Sequence, residues 1–191
     1  MTTVSIIGTG NMGTAIAAVA QRGGHDVQTL GRDDADAAIT GDIVVLAVPY
    51  SSVADLAVAR RKSLVGKIVV DITNPVNFET FDSLVVPSDS SATATIAALL
   101  PHSHVLKAFN TTFAGTLTDG TLGSATTPVL IAGDDNAAKD ALAELVRAGG
   151  LVAVDAGSLS RARELEALGF LQMTLAASEK ITWTGGFALT A

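Results

Sequence analysis

An α/β fold on a doubly wound, mainly parallel sheet is predicted by three features of the 191-residue sequence. Short β-branched runs alternate with Ala/Leu-rich stretches of helical length, the order in which crossover helices join parallel strands. The first run leads directly into a glycine-rich turn and then a helical pattern. The longest helical stretch, residues 161–180, comes last.

The elements follow in order. Strands are expected at residues 4–7, 26–30, 43–48, 67–72, 105–109, 129–132 and 151–154, read as apolar on both faces, as strands covered by helices on either side are. Helices are expected at 11–22, 52–62, 91–100 (ended by Pro101), 136–148 and 161–180. In the last, Leu165, Leu168, Leu171 and Leu175 recur at spacings of three and four on one face, with Arg163, Glu166 and Glu179 off it. That helix is expected to pack on the sheet or on a partner. Ile43 comes only twelve positions after Gly31, too few for a helix, a strand and a second helix. The first half of the sheet is therefore abbreviated and lacks its usual third strand. No repeat or linker interrupts the chain, so residues 1–191 read as one domain.

Composition excludes several classes of function. Twelve Lys and Arg against 19 Asp and Glu leave a formal charge of −7 with no basic cluster, which argues against a nucleic-acid surface. The absence of cysteine removes disulfides, thiolate nucleophiles and Cys-ligated metal, and fits a reducing compartment. Residues 1–21 carry no charge, yet they lack a basic leader and are interrupted by Gly8, Gly10, Asn11 and Gly13, so they read as a buried strand and turn. A cytoplasmic protein without a membrane span is expected.

The turn Gly8-Thr9-Gly10-Asn11-Met12-Gly13 has the spacing G-x-G-x-x-G between a strand and a helix. In a Rossmann-like fold Gly8 permits the tight turn, Gly10 lets the backbone approach a pyrophosphate, and Gly13 lets helix and strand pack closely. The helix start adds free N–H groups and the positive end of its dipole. At the end of the second strand, where an NAD-preferring fold places an acid on the ribose, the chain reads Leu30-Gly31-Arg32. Gly31 leaves room and Arg32 supplies a guanidinium suited to a phosphate, which points to NADP(H). Asp33 and Asp34 read as N-terminal charges of a short helix.

Ligands of open α/β sheets collect at the carboxyl ends of strands. There the chain offers Ala47, Val48 and Pro49, then Asn74 and Pro75, then Asn110, an apolar lining with amides suited to fixing flat rings. No histidine and no buried carboxylate pair is evident in these loops; Asp71 and Asp155 read as structural. Lys107 reads as solvated or ion-paired rather than as a general acid, and His102 and His104 lack the further ligands of a metal site. No catalytic side chain and no metal are expected; Asn74 and Asn110 would orient the rings.

The residues Ile7-Gly8-Thr9-Gly10-Asn11-Met12-Gly13, Gly31-Arg32, Ala47-Val48-Pro49, Asp71-Ile72-Thr73-Asn74-Pro75, Lys107-Ala108-Phe109-Asn110-Thr111 and Asp155-Ala156-Gly157-Ser158 resemble the NADPH-dependent coenzyme F420 reductases (F420:NADP oxidoreductases). More distantly they are similar to the cytosolic reductase domain of the six-transmembrane metalloreductases. The resemblance implies 2′-phosphate recognition by Thr9 and Arg32, nicotinamide near Pro49, Asn74 and Asn110, hydride transfer between NADP(H) and a deazaflavin such as coenzyme F420, and a homodimer. The chain departs from the family in a shorter segment after Arg32 and in the loop Asp71-Ile72-Thr73-Asn74-Pro75-Val76-Asn77. A non-catalytic NADP(H) sensor or partner-binding module is the alternative reading. The helix 161–180 and the tail 183–189 are expected to form much of the dimer contact.

Overall fold

A computed structural model describes residues 2–189. Seven strands form one sheet in the order β2 (Asp26–Leu30), β1 (Thr3–Ile7), β3 (Ile43–Leu46), β4 (Ile68–Asp71), β5 (His104–Lys107), β8 (Pro128–Gly133) and β9 (Val152–Gly157). A separate hairpin pairs β6 (Thr121–Leu122) with β7 (Ala125–Thr126). The five strands from β2 to β5 are parallel, with β2 on the edge, so the missing third strand of the first half is borne out.

The sheet is covered on both faces. On one side α1 (Asn11–Arg22) and α5 (Asn136–Ala148) place Ile16, Val19, Leu142 and Val146 against Val4, Ile6 and Val129. On the other, α2 (Tyr50–Arg60) and α3 (Ala92–Leu99) place Val53, Ala57 and Ile96 against Val44, Leu46 and Val69. Polar side chains set two of the helix starts. Ser91 Oγ accepts the Ala94 N–H at 3.0 Å ahead of α3, and Asp135 Oδ1 accepts the Ala138 N–H at 2.9 Å ahead of α5.

Three sequence expectations need correction. First, β8 runs antiparallel to β5, because the chain between them turns through α4 (Ala114–Asp119) and the β6–β7 hairpin and re-enters the sheet from the opposite end. Leu106 packs over Gly133 where the two strands meet, so a Cβ there, 2.3 Å from Leu106 Cδ2, would require that side chain to shift.

Second, the two edge strands are not sealed on both faces: Asp26 and Thr29 of β2, and Val152 and Asp155 of β9, are exposed. Third, the leucine stripe is not the face that α6 (Ala162–Ala177) buries. Leu165, Glu166, Gly169, Gln172 and Ala176 face inward, while Leu168 and Leu175 are half-buried and Leu171 is 49% exposed. A helix turns toward its best-matched partners, and here these are polar: Glu166 is held at the start of α3, as described below.

Candidate functional site

The carboxyl ends of the parallel strands frame two adjoining cavities. At the first, β1 ends in Gly8, whose φ of +125° disfavours any side chain. A Cβ there would lie 2.1 Å from the Ala47 carbonyl oxygen, and one at Gly13 would lie 2.2 Å from the Gly8 carbonyl oxygen. Turn, β3 end and helix thus touch backbone to backbone. Gly10 is different: it caps α1 without a side-chain hydrogen bond, and a Cβ there would meet nothing within 4 Å. The first N–H groups of α1 therefore face open space, the arrangement that suits a pyrophosphate. That space is a cavity of about 500 Å³ lined by Thr9, Gly10, Gly31, Arg32, Ala47 and Pro49 among others. Asn11, exposed in the first turn, does not line it, and Gly13 lies buried beneath Gly8.

The β2 end settles how its acids are used. Arg32–Asp34 forms a short 3-10 turn, and Asp34 Oδ2 accepts the Gly31 N–H at 2.7 Å. That carboxylate caps its own turn, as expected from the sequence, while Arg32 is exposed at the cavity rim. A second guanidinium, not singled out in the sequence, also lines the cavity. Arg60, the last residue of α2, donates to the carbonyls of Ala37 at 2.7 Å and Asp34 at 2.6 Å.

The second cavity, about 340 Å³, shares Val48 and Pro49 with the first and is walled by Met12, Tyr50, Asn74 and Asn110. The two amides grip each other. Asn110 Nδ2 donates to Asn74 Oδ1 at 2.9 Å and to the Leu165 carbonyl at 2.8 Å, and Asn74 Nδ2 donates to the Asn110 carbonyl at 2.9 Å. Gly169 of α6 makes this possible, since a Cβ there would lie 2.6 Å from Asn74 Oδ1. Two buried side-chain oxygens in this wall, Thr73 Oγ1 and Asn110 Oδ1, have no hydrogen-bond partner among the described residues. Just before Asn110, the fully buried Phe109 holds φ +62°, a left-handed conformation that strains a bulky residue and marks a shaped site. Pro75 is buried behind the wall and lines neither cavity; its carbonyl accepts the Val85 N–H at 2.7 Å. Trp183, packed against Phe113 with ring centroids 5.0 Å apart and planes tilted by 56°, closes the cavity from the C-terminal tail.

Behind the wall lies a charge cluster that corrects one reading of the sequence and narrows another. Of the two states read for Lys107, solvated or ion-paired, it is the second: its side chain and those of Asp71 and Glu166 are 0% exposed. The ammonium donates to Asp71 Oδ2 at 2.8 Å and to the Thr73 carbonyl at 2.6 Å, and forms an ion pair with Glu166 Oε1 at 2.9 Å. A buried carboxylate pair does exist, bridged by this lysine. Glu166 also accepts the first-turn N–H groups of α3, from Ala92 at 2.9 Å and Thr93 at 3.3 Å, while Asp71 Oδ1 accepts the Thr73 N–H at 2.9 Å. The cluster therefore fixes the loop that carries Thr73 and Asn74. Burial, then the charges of Glu166 and Asp71, raise the Tyr50 phenol above its ordinary pKa against the opposing effect of Lys107, so Tyr50 presents a protonated hydroxyl in the cavity wall.

His25 and His104 have local partners: the Thr2 N–H reaches His25 Nδ1 at 3.3 Å, and His104 Nδ1 lies 2.6 Å from Asp135 Oδ2. Among the described residues no helix is long and apolar enough to cross a membrane.

A parallel sheet whose first strand runs through a glycine turn into a helix start above open space belongs to the Rossmann-like class of dinucleotide-binding folds. Comparison with known proteins narrows this. A family model described as "NADP oxidoreductase coenzyme F420-dependent" matches residues 26–75. The F420-dependent NADP reductase of Methanocaldococcus jannaschii is 30% identical over 166 residues, covering 85% of this chain and 74% of that protein. The metalloreductase STEAP3 of Rattus norvegicus is 37% identical over 126 residues, 66% of this chain but 24% of that protein. A crystal structure from Arthrobacter sp. FB24, of a protein provisionally named an F420-dependent NADP reductase, superposes with a TM-score of 0.87 at 26% identity over 100% of both chains. The chain belongs to the F420-dependent NADP reductase family, and it is an NADP-dependent oxidoreductase.

Proposed function

We propose that the protein transfers hydride between NADP(H) in the first cavity and a deazaflavin such as coenzyme F420 in the second. The observation that carries this reading is that the two cavities adjoin, with Val48 and Pro49 lining both. A nicotinamide lying over that wall would have its ring face toward the second cavity. Bound NADPH supplies the hydride, and a deazaflavin takes it up together with one proton. The chain's part is placement: Gly8, Gly10 and Gly13 bring the backbone to the pyrophosphate, with Thr9, Asn11 and Met12 completing the turn. Gly31 and Arg32 admit and pair the 2′-phosphate. Ala47, Val48 and Pro49 floor the ring, and Asn74, Pro75 and Asn110 hold the loops around it. No side chain is assigned a covalent or acid–base role.

The test is to mix NADPH with excess deazaflavin, riboflavin or a ferric chelate and follow nicotinamide oxidation. Deazaflavin is expected to be the best acceptor; tight NADPH binding with no turnover of any acceptor would establish the sensor reading instead. Loosening the amide grip with Asn110→Ala should lower turnover with deazaflavin more than it weakens NADPH binding.

Arg32→Ala is expected to weaken NADPH binding by about 1.5–3 kcal/mol, the scale of a hydrogen bond between charged groups, and to leave NADH nearly unchanged. Calorimetric titration with both cofactors reads this directly, and equal losses would place phosphate recognition elsewhere.

The proposal includes a cytoplasmic homodimer. Leu171 at 49%, Trp183 at 54% and Phe187 at 41% exposure leave an apolar strip along α6 and the tail. Light scattering at micromolar concentration should give twice the 19.3 kDa chain mass, and a monomer would remove this part of the proposal.

A further inference from the structure

We infer that Arg60 is a positioning residue for cofactor selectivity, acting through the loop that carries Arg32; this rests on the NADP(H) reading of the first cavity. The segment from Gly31 to Asp42 joins β2 to β3 without an α-helix, so little regular structure holds Arg32 in place. Two cross-links stand in for it. Gln28 reaches the far end, donating to the Ala38 carbonyl at 2.8 Å and accepting from the Thr40 N–H at 3.1 Å. Arg60 reaches the near end from the facing helix, and its two terminal nitrogens donate separately to Asp34 and Ala37. Asp34 in turn closes the 3-10 turn onto Gly31, next to Arg32.

A planar guanidinium can span two carbonyls at once, which an ammonium cannot do with the same geometry. The loop also carries Asp33, Asp34 and Asp36, whose charge disfavours a phosphate unless Arg32 is held toward it. Each terminal nitrogen of Arg60 donates to a loop carbonyl, which orients the guanidinium toward the loop, so its proposed contribution is to hold the loop while Arg32 makes the phosphate contact.

The experiment is calorimetric titration of NADPH and NADH into the wild type, Arg60→Ala, Arg60→Lys, Arg32→Ala and the Arg32→Ala/Arg60→Ala double variant. Arg60→Ala is expected to weaken NADPH about tenfold and NADH less than about threefold, with Arg60→Lys in between, an effect comparable to one charge-assisted contact. In the Arg32→Ala background, removing Arg60 should cost NADPH less than about twofold more, because a residue acting through another is not additive with it. Equal losses for the two cofactors, or no loss in either Arg60 variant, would overturn the inference. Losses that multiply in full in the double variant would also overturn it, by showing that Arg60 contacts the phosphate itself. A wild type that binds NADH as tightly as NADPH would instead overturn the NADP(H) reading. Should the alanine variant melt much earlier than the wild type, Arg60→Lys carries the same comparison.

Discussion

Lys107→Met is expected to lower folding stability by about 3–5 kcal/mol, the scale seen when one partner of a buried ion pair is removed. Methionine matches the lysine stem in length and is at home in a core, so the volume change is small. What is lost is the cation between Asp71 and Glu166, both fully buried. The remaining hydrogen bonds, from Thr93 Oγ1 at 2.7 Å and the N–H groups of Thr73 and Ala92, satisfy part of each carboxylate but supply no opposite charge. The cost is therefore the desolvation of two anions rather than the loss of one contact. Urea unfolding should show a lower midpoint with an unchanged slope. Neutralising the carboxylates as well, in Lys107→Met/Asp71→Asn/Glu166→Gln, should recover a large part of the loss. A single-variant loss below about 1 kcal/mol would mean that water reaches the cluster, in conflict with its burial.

This cluster also shows where the sequence was readable and where it was not. The strands and glycine turn were legible because their signals are local: a β-branched run, then G-x-G-x-x-G, then an alanine-rich stretch. The helices Asn11–Arg22 and Asn136–Ala148 lie where the pattern put them. The cluster was hidden because it joins two neighbouring strand ends to a helix far along the chain. Half of its signal was present: Asp71 and Lys107 are ionisable residues at the ends of apolar strands, and parallel pairing sets them side by side. A charge in such a run implies a buried partner. The other half, Glu166, lies off the apolar stripe that the leucines around it define, so the pattern did not point it inward. The long-range contact with the start of α3 chose a different face.

The antiparallel β8 was missed for a similar reason. Its direction depends on α4 and a hairpin of two-residue strands, too short for any periodicity to announce. Of the candidate site residues, the glycines and Arg32 sit where their spacing implied, because the turn itself positions them. Arg60 gave no signal: a basic run such as Arg60-Arg61-Lys62 at the end of a helix is ordinary, and only the fold brings Arg60 to the loop after β2.

Gly10→Ala is expected to separate binding from folding, and Gly8→Ala to destroy both. At Gly10 the backbone has φ −75°, which alanine adopts freely, and the added methyl meets no protein atom within 4 Å. The variant should unfold within about 1 kcal/mol of the wild type, since glycine and alanine differ modestly at a helix cap. Yet the methyl would enter the space above the first turn of α1, where the proposed pyrophosphate needs close approach to the backbone. NADPH affinity should fall about a hundredfold, equivalent to about 2.7 kcal/mol, and NADH affinity should fall in proportion because both cofactors carry the same pyrophosphate. At Gly8 the methyl would lie 2.1 Å from the Ala47 oxygen, on a backbone at φ +125°. The β1 and β3 ends must then part, and the hydrogen bonds from Gly8 N–H to the Leu30 carbonyl at 2.9 Å and from Ala47 N–H to the Ile7 carbonyl at 2.8 Å are disturbed together. A stability loss of several kcal/mol, on the order of the larger point-mutation effects, is expected alongside loss of binding. Thermal melts and cofactor titrations on the two variants decide the matter: full NADPH affinity in a folded Gly10→Ala protein would move the pyrophosphate away from the start of α1.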